Sequence, residues 1–226
     1  VAAFREPAAS ADGARGPAAY GLVVLDFDGT LADTFAWFSS VLGGVADRYR
    51  FRRVAEEEVE GLRRLGAREI LTRLGIPRWK VPLIARHMHG LAARDAGRLR
   101  PFPGIAAMLA DLDGAGVSLA VLSSNREDVV RRVLGPESAG RIAVWSCGAS
   151  IFGKARRLRG LVAASRLPPE RVLCLGDEIR DAEAARAVGC AFGAVAWGYT
   201  DAQALAATEP DHLFREPAEV VAAVVE

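Results

Sequence analysis

Five short apolar runs, spaced along most of the chain, constrain the fold more than any other feature. They are "GLVVLDF" (21–27), "VSLAVLS" (117–123), "RIAVWS" (141–146), "RVLCLG" (171–176) and "CAFGAVAW" (190–197). Each has the length of a strand, and none shows the strict apolar–polar alternation of a strand with one wet face. A strand that is apolar throughout must be covered on both sides, as parallel strands between two helical layers are. Helical patterns lie between the runs, among them "GIAAMLADLDGAG" and "DAEAARAVG", the second ending on a glycine stop. Alternating strands and helices of this kind predict an α/β fold with a Rossmann-like, doubly wound parallel sheet.

The alternation lapses once. Residues 34–99 hold no strand pattern, only helical ones such as "AEEEVEGLRRLG", "AREILTRLG" and "VPLIARHMHGLAARDAG". That is too much chain for a crossover between neighbouring strands, so it predicts a separate helical cap domain. The core domain is then 21–33 together with 100–226, and the Ala-, Gly- and Pro-rich residues 1–20 read as a loosely ordered tail. Basic residues outnumber acidic ones in the inserted segment, and the rest of the chain is acidic. Such a division would draw an anion to the seam, with a solvated arginine-rich surface as the equal alternative for most of these residues.

Composition excludes several classes of function. A net charge of +1 gives no reason to expect nucleic acid as a partner. No apolar run approaches the ~20 residues of a membrane-spanning helix, so no membrane partner is expected. Cys147, Cys174 and Cys190 form no CxxC pair, which argues against a disulfide framework or a zinc site and points to a reducing cytoplasm.

Reactive groups in open α/β sheets collect at the carboxyl ends of strands. The first run ends in "LDFDGTL", carrying Asp26 and Asp28, and the second in "VLSSN", carrying Ser123, Ser124 and Asn125. Lys154 follows the third, and "LGDEIRD" with Asp177, Glu178 and Asp181 follows the fourth. So many carboxylates in one crevice cannot all stay ionised without a cation. Oxygen donors completed by water and a phosphate suit Mg²⁺. A lysine and a hydroxyl beside them suit the charge that develops on a transferring phosphoryl group. Asp26 could attack phosphorus, and Asp28 could serve as general acid and base.

Lys154 stands out for another reason. Of 29 basic residues only two, Lys80 and Lys154, are lysine. A compact ammonium can share its protons among a phosphoryl oxygen and two carboxylates where a planar guanidinium would collide. Arg156, Arg157 and Arg159 beside it read as helix surface.

"DFDGTL", Ser123, Lys154 and "GDEIRD", in that order, resemble the four signature motifs of the haloacid dehalogenase (HAD) superfamily. With "FPGI", "SSN", "FGK" and "WGYT", and the helical insertion after the first motif, the chain is similar to the phosphoglycolate phosphatase-like branch. The resemblance runs from about residue 21 to the C-terminus. It implies a phosphatase acting on a small phosphorylated metabolite through an aspartyl-phosphate. Asp26 would be the nucleophile and Asp28 the acid/base. The Asp26 carboxylate, the Asp28 carbonyl and Asp177 would hold Mg²⁺, with Glu178 and Asp181 as supporting or further ligands. Ser123, Ser124 and Lys154 would hold the phosphoryl group.

A phosphomutase of β-phosphoglucomutase type would use the same core motifs. A receiver-like protein that keeps its phosphoaspartate is a further alternative, against which Asp28 and the insertion both argue. Dehalogenation would leave Asp28 with no leaving oxygen to protonate. His87, near the Ile84/Met88/Leu91 face, is expected to pack within the cap, and Trp197–Gly198–Tyr199 to pack on the core. Asn125 and Arg126 are expected either to start a helix or to reach the substrate.

Overall fold

A computed structural model of the chain describes residue 4, residues 18–148 and residues 153–225. Most of the expected tail and Phe152 of "FGK" lie outside the described residues. The five apolar runs form strands β1 (Leu22–Leu25), β4 (Ser118–Leu122), β5 (Val144–Ser146), β6 (Val172–Gly176) and β7 (Ala191–Val195). A sixth, β8 (His212–Phe214), joins the edge. Together they make a sheet in the order β5-β4-β1-β6-β7-β8, parallel throughout. Strand order reverses at β1, which lies between β4 and β6, so the crevice above β1 is the topological switch point.

Side-chain alternation along each strand feeds two separate cores. Val23, Leu25, Leu119, Val121, Leu173 and Leu175 face one cluster, whose helical side comes from α5 (Ile105–Gly114), α6 (Glu127–Gly140) and α10 (Pro217–Val225). Leu22, Val24, Ala120, Leu122, Val172 and Cys174 face the other, covered by α7 (Lys154–Ser165), α8 (Ile179–Val188) and α9 (Ala202–Ala206). Each fully buried Leu or Val contributes about 1.5–3 kcal/mol relative to exposure. The sheet is therefore the rigid part of the molecule. Gly189 closes α8 in the left-handed conformation (φ 83°), as its position in "DAEAARAVG" predicts.

The inserted segment leaves the core through β2 (Ala32–Asp33) and returns through β3 (Arg100–Pro101), which pair antiparallel as Ala32–Pro101 and Asp33–Arg100. Between them run α1 (Phe35–Tyr49), α2 (Val59–Leu62), α3 (Ala67–Arg73) and α4 (Val81–Asp95). Its interior is packed unlike the core. Within these four helices only Val45, Ala46, Val81 and Ala92 are buried. Among its arginines, all but Arg63 are exposed, so the basic excess lies on the outer surface and does not gather at the seam.

His87 packs within the inserted segment as expected, though against α1, and the expected tail needs adjusting at its end. The cavity-facing stripe of α4 is Val81, Ile84, Ala85, Met88, His89 and Ala92, with steps of three and four residues. His87 falls outside that stripe and meets the Tyr49 ring edge-on at 5.7 Å. At the other end, residues 18–20 are tied down: Ala19 N–H donates to the Val224 carbonyl, and the Tyr20 hydroxyl pairs with His212 Nε2 at 2.8 Å.

Candidate active site

The crevice is built from the "DFDGTL" turn outward. The Phe27 carbonyl accepts N–H bonds from Thr30, Leu31 and Ala32 at 2.9–3.3 Å, which winds the chain tightly just past β1. Asp26 N–H is bonded to the Leu175 carbonyl of β6, so the aspartate continues the sheet register and its carboxylate emerges at the strand end. The side chain is buried at 4% exposure, and its Oδ2 has no hydrogen-bond partner. Burial raises the Asp26 pKa to about 7, with Lys154 opposing the shift and Asp181 adding to it.

Lys154 opens α7 and reaches across to β1. Its Nζ lies 2.8 Å from Asp26 Oδ1 and 2.5 Å from Asp181 Oδ1. Although burial opposes charge on this ammonium, Asp181 and Asp26 outweigh it and raise the pKa. A single cation thus bridges two carboxylates from different strand ends, the arrangement expected of a lysine at this position. The neighbouring arginines are exposed, and Arg157 and Arg159 donate to the carbonyls of Cys147 and Ala187. Lys80, the other lysine, donates to the Tyr49 carbonyl at 2.8 Å.

Asp177 follows β6 and is fully buried. It accepts from Thr30 Oγ1 at 2.7 Å and from Tyr199 N–H at 2.8 Å. Burial, then the neighbouring Glu178, Asp26 and Asp181, push its pKa well up. Two glycines make the room: a Cβ on Gly29 (φ 80°) or on Gly198 would overlap the Asp177 carboxylate. Asp181 sits in the first turn of α8, where it accepts from Glu178 N–H at 3.1 Å while holding Lys154. Asp26, Asp177 and Asp181 each offer a carboxylate oxygen within 4.8 Å of one another. Three buried carboxylates, no nitrogen or sulfur donor and one unpartnered oxygen suit a hard divalent cation.

Glu178 stands apart from that trio. Its carboxylate pairs at 2.5 Å with Arg180, a half-buried arginine inside "GDEIRD" that residue-type reasoning passed over. Glu178, Asp181 and Asp26 raise the Arg180 pKa against the effect of burial. The signal was present, a basic residue between two acidic ones just past a strand end, but hidden in a chain full of arginine.

Asp28 follows Asp26 by two residues, in the turn just past β1. Burial raises its pKa, opposed by Thr34 and Asn125 hydrogen bonds and by Arg180. Asn125 Nδ2 is 3.5 Å from Asp28 Oδ2, and its Oδ1 accepts from Arg126 N–H at 2.9 Å, so it both serves the helix start and meets the site. Arg126 is turned away onto Asp128 at 2.9 Å. Ser123, 1% exposed at the end of β4, accepts from Asn125 N–H at 2.9 Å, and Ser124 lines the cavity above.

Tyr199, expected only to pack, does more. Its hydroxyl pairs with Thr34 Oγ1 at 2.8 Å where the inserted segment leaves the core, and its ring meets Phe35 and Phe38 of α1. Trp197 packs as expected, and its Nε1 donates to the Thr30 carbonyl at 3.0 Å.

Comparison with known proteins agrees with this geometry. The sequence profile described as "Haloacid dehalogenase-like hydrolase" matches residues 23–195. A phosphoglycolate phosphatase of Synechococcus elongatus is 32% identical over 205 residues, covering 90% of this chain and 97% of the relative. A phosphoglycolate phosphatase of Agrobacterium fabrum is 30% identical over 216 residues, covering 91% and 92%. A solved haloacid dehalogenase-like hydrolase family protein of Streptococcus pneumoniae superposes with a TM-score of 0.73 over 90% of this chain and 98% of that one. At 18% identity it speaks for the fold alone.

Proposed function

This chain belongs to the haloacid dehalogenase-like hydrolases, and from that premise we propose that it is a Mg²⁺-dependent phosphatase of small phosphorylated molecules. The observation that carries the reading is Lys154 held between Asp26 and Asp181, with Asp177 completing a buried acidic trio. Asp26 and Asp177, with the backbone carbonyl of Asp28, would hold the ion, and Asp181 would fix Lys154 from behind. Bound there, Mg²⁺ would neutralise the carboxylates and polarise the phosphoryl oxygens.

In this reading the Asp26 carboxylate attacks phosphorus in line, and the bond from phosphorus to the leaving oxygen breaks. Asp28, whose pKa is raised by burial, gives its proton to that oxygen. Water then attacks phosphorus, Asp28 takes its proton, and phosphate leaves with Asp26 restored. Ser123 and Lys154 hold the phosphoryl oxygens through both steps, helped by backbone N–H groups near Asp28 and Ser124. Residues 34–99 act as a cap over the crevice, and Tyr199 joins it to the core through Thr34.

The three free cysteines fit a protein of the reducing cytoplasm. Among the described residues no helix is long and apolar enough to cross a membrane.

The test is phosphate release from 2-phosphoglycolate, p-nitrophenyl phosphate and β-glucose 1-phosphate, with Mg²⁺ and with chelator. Release that needs Mg²⁺ is expected. An isomerised sugar phosphate in place of free phosphate would make the protein a mutase, and no transfer from any ester would overturn the reading.

A further inference from the structure

We infer that the space between the inserted helices and the crevice is a chamber for an apolar leaving group. The site is therefore built for phosphate monoesters of aliphatic or aromatic alcohols, in preference to those of small carboxylated acids. The inference rests on the phosphatase reading above.

The cavity holds about 330 Å³, room for roughly ten waters. Packed interiors leave few voids larger than a single water, so this volume is a binding space and not a packing flaw. Asp28, Ser124, Asn125 and Arg180 line its floor, which makes it continuous with the reactive crevice. The walls are apolar: Phe38 and Leu42 from α1, Ile70 and Leu71 from α3, Ile84 and Met88 from α4. All six are only half-buried, whereas the core's apolar side chains are sealed. The inserted segment thus turns its apolar residues toward a space.

Its charges are already spoken for. Arg63 and Arg180 are the arginines of the lining. Arg63 donates to the carbonyls of Tyr199 at 2.8 Å and Gly198 at 3.2 Å, pairs with Glu60 at 3.1 Å and lies over the Phe35 ring. Arg180 is paired with Glu178. His89, also in the lining, has its pKa lowered by burial and by Arg126, both of which disfavour its charged form. A carboxylate on the leaving group would meet apolar walls and Glu178, with no uncommitted cation among the described lining residues to receive it.

Calorimetric titration of the Mg²⁺-loaded full chain with n-alkylphosphonates tests the chamber without turnover. Affinity should rise up to about fourfold per methylene, or as much as ~10³-fold from methyl- to hexylphosphonate if every methylene is fully buried. By the same account 3-phosphonopropionate should bind more weakly than n-butylphosphonate. Met88→Glu should flatten the series. Leu42→Ala, a milder change, should shrink the increment for the longer chains only. A flat wild-type series, or tightest binding by 3-phosphonopropionate, overturns the inference. Turnover of the matching alkyl phosphates separates the two readings. Rising phosphonate affinity with no ester hydrolysed keeps the chamber and sinks the phosphatase, while hydrolysis indifferent to chain length does the reverse.

Discussion

The crevice at the strand ends and the space under the inserted helices lie side by side and are built on opposite principles. In the crevice the charged groups are buried or half-buried and most are held by partners: Asp26 and Asp181 on Lys154, Glu178 on Arg180, Asp177 on Thr30 and the Tyr199 N–H. Above it the side chains are apolar, half-buried and separated by open volume. A preorganised polar site works by costing no reorganisation when charge develops. An apolar chamber selects by area removed from water and tolerates variation in its occupant. On the proposed reading, chemistry belongs to the first region and choice of substrate to the second. Changes in the crevice should therefore abolish turnover whatever the ester, whereas changes in the chamber should reorder esters.

Asp26→Asn should give the largest effect, a loss of ~10⁴-fold or more in kcat for every ester, because the nucleophile is gone. Phosphate release with an alkyl and an aryl ester measures it, and a variant retaining even a tenth of its activity would break the division. Lys154→Arg keeps the charge and should still cost about 10²–10³-fold in kcat, the scale of losing one positioned donor. The guanidinium must bridge Asp26 and Asp181 across a gap sized for an ammonium.

Stability should report the crowded carboxylates directly. The folded-state pKa of Asp26 is about 7, above the ~3.9 of an unfolded aspartate. The metal-free folded state therefore binds the extra proton, and its stability falls as pH rises from 5 to 8. Lys154 does not oppose this, since its raised pKa leaves it charged across the whole window. Thermal melting without metal should give a lower Tm at pH 8 than at pH 5. Added Mg²⁺ should raise Tm more at pH 8, and equal shifts at both would contradict the account.

The smallest effect is expected from Tyr199→Phe. It removes one hydroxyl contact to Thr34 and keeps the ring against Phe35 and Phe38. The cost should be about 1 kcal/mol of stability by chemical denaturation. Turnover should stay within tenfold, with any change the same for every ester.

Legibility in the sequence divides along the same line. The β1, β4, β6 and β7 runs were readable because burial on both faces leaves a pattern independent of register. Asp26, Asp28, Ser123 and Asp177 were readable because each directly follows such a run. β8 was not, since three residues at a sheet edge, "HLF", carry too little pattern. Arg180 was lost among many arginines. The chamber was hidden for a different reason. The inserted segment is broken into pieces such as the four-residue α2 and the seven-residue α3, too short to hold a helical phase. Its basic excess therefore suggested a cationic seam, while the fold turns those arginines outward.

The central claim is that Asp26 carries the phosphoryl group between the two displacements. The most direct measurement is to quench the Mg²⁺-loaded protein during turnover, reduce with borohydride, and map the peptides by mass spectrometry. A phosphoaspartate is reduced to homoserine, so the account predicts homoserine at position 26, absent when substrate is withheld. Homoserine at another aspartate, or none while phosphate is being released, would contradict it.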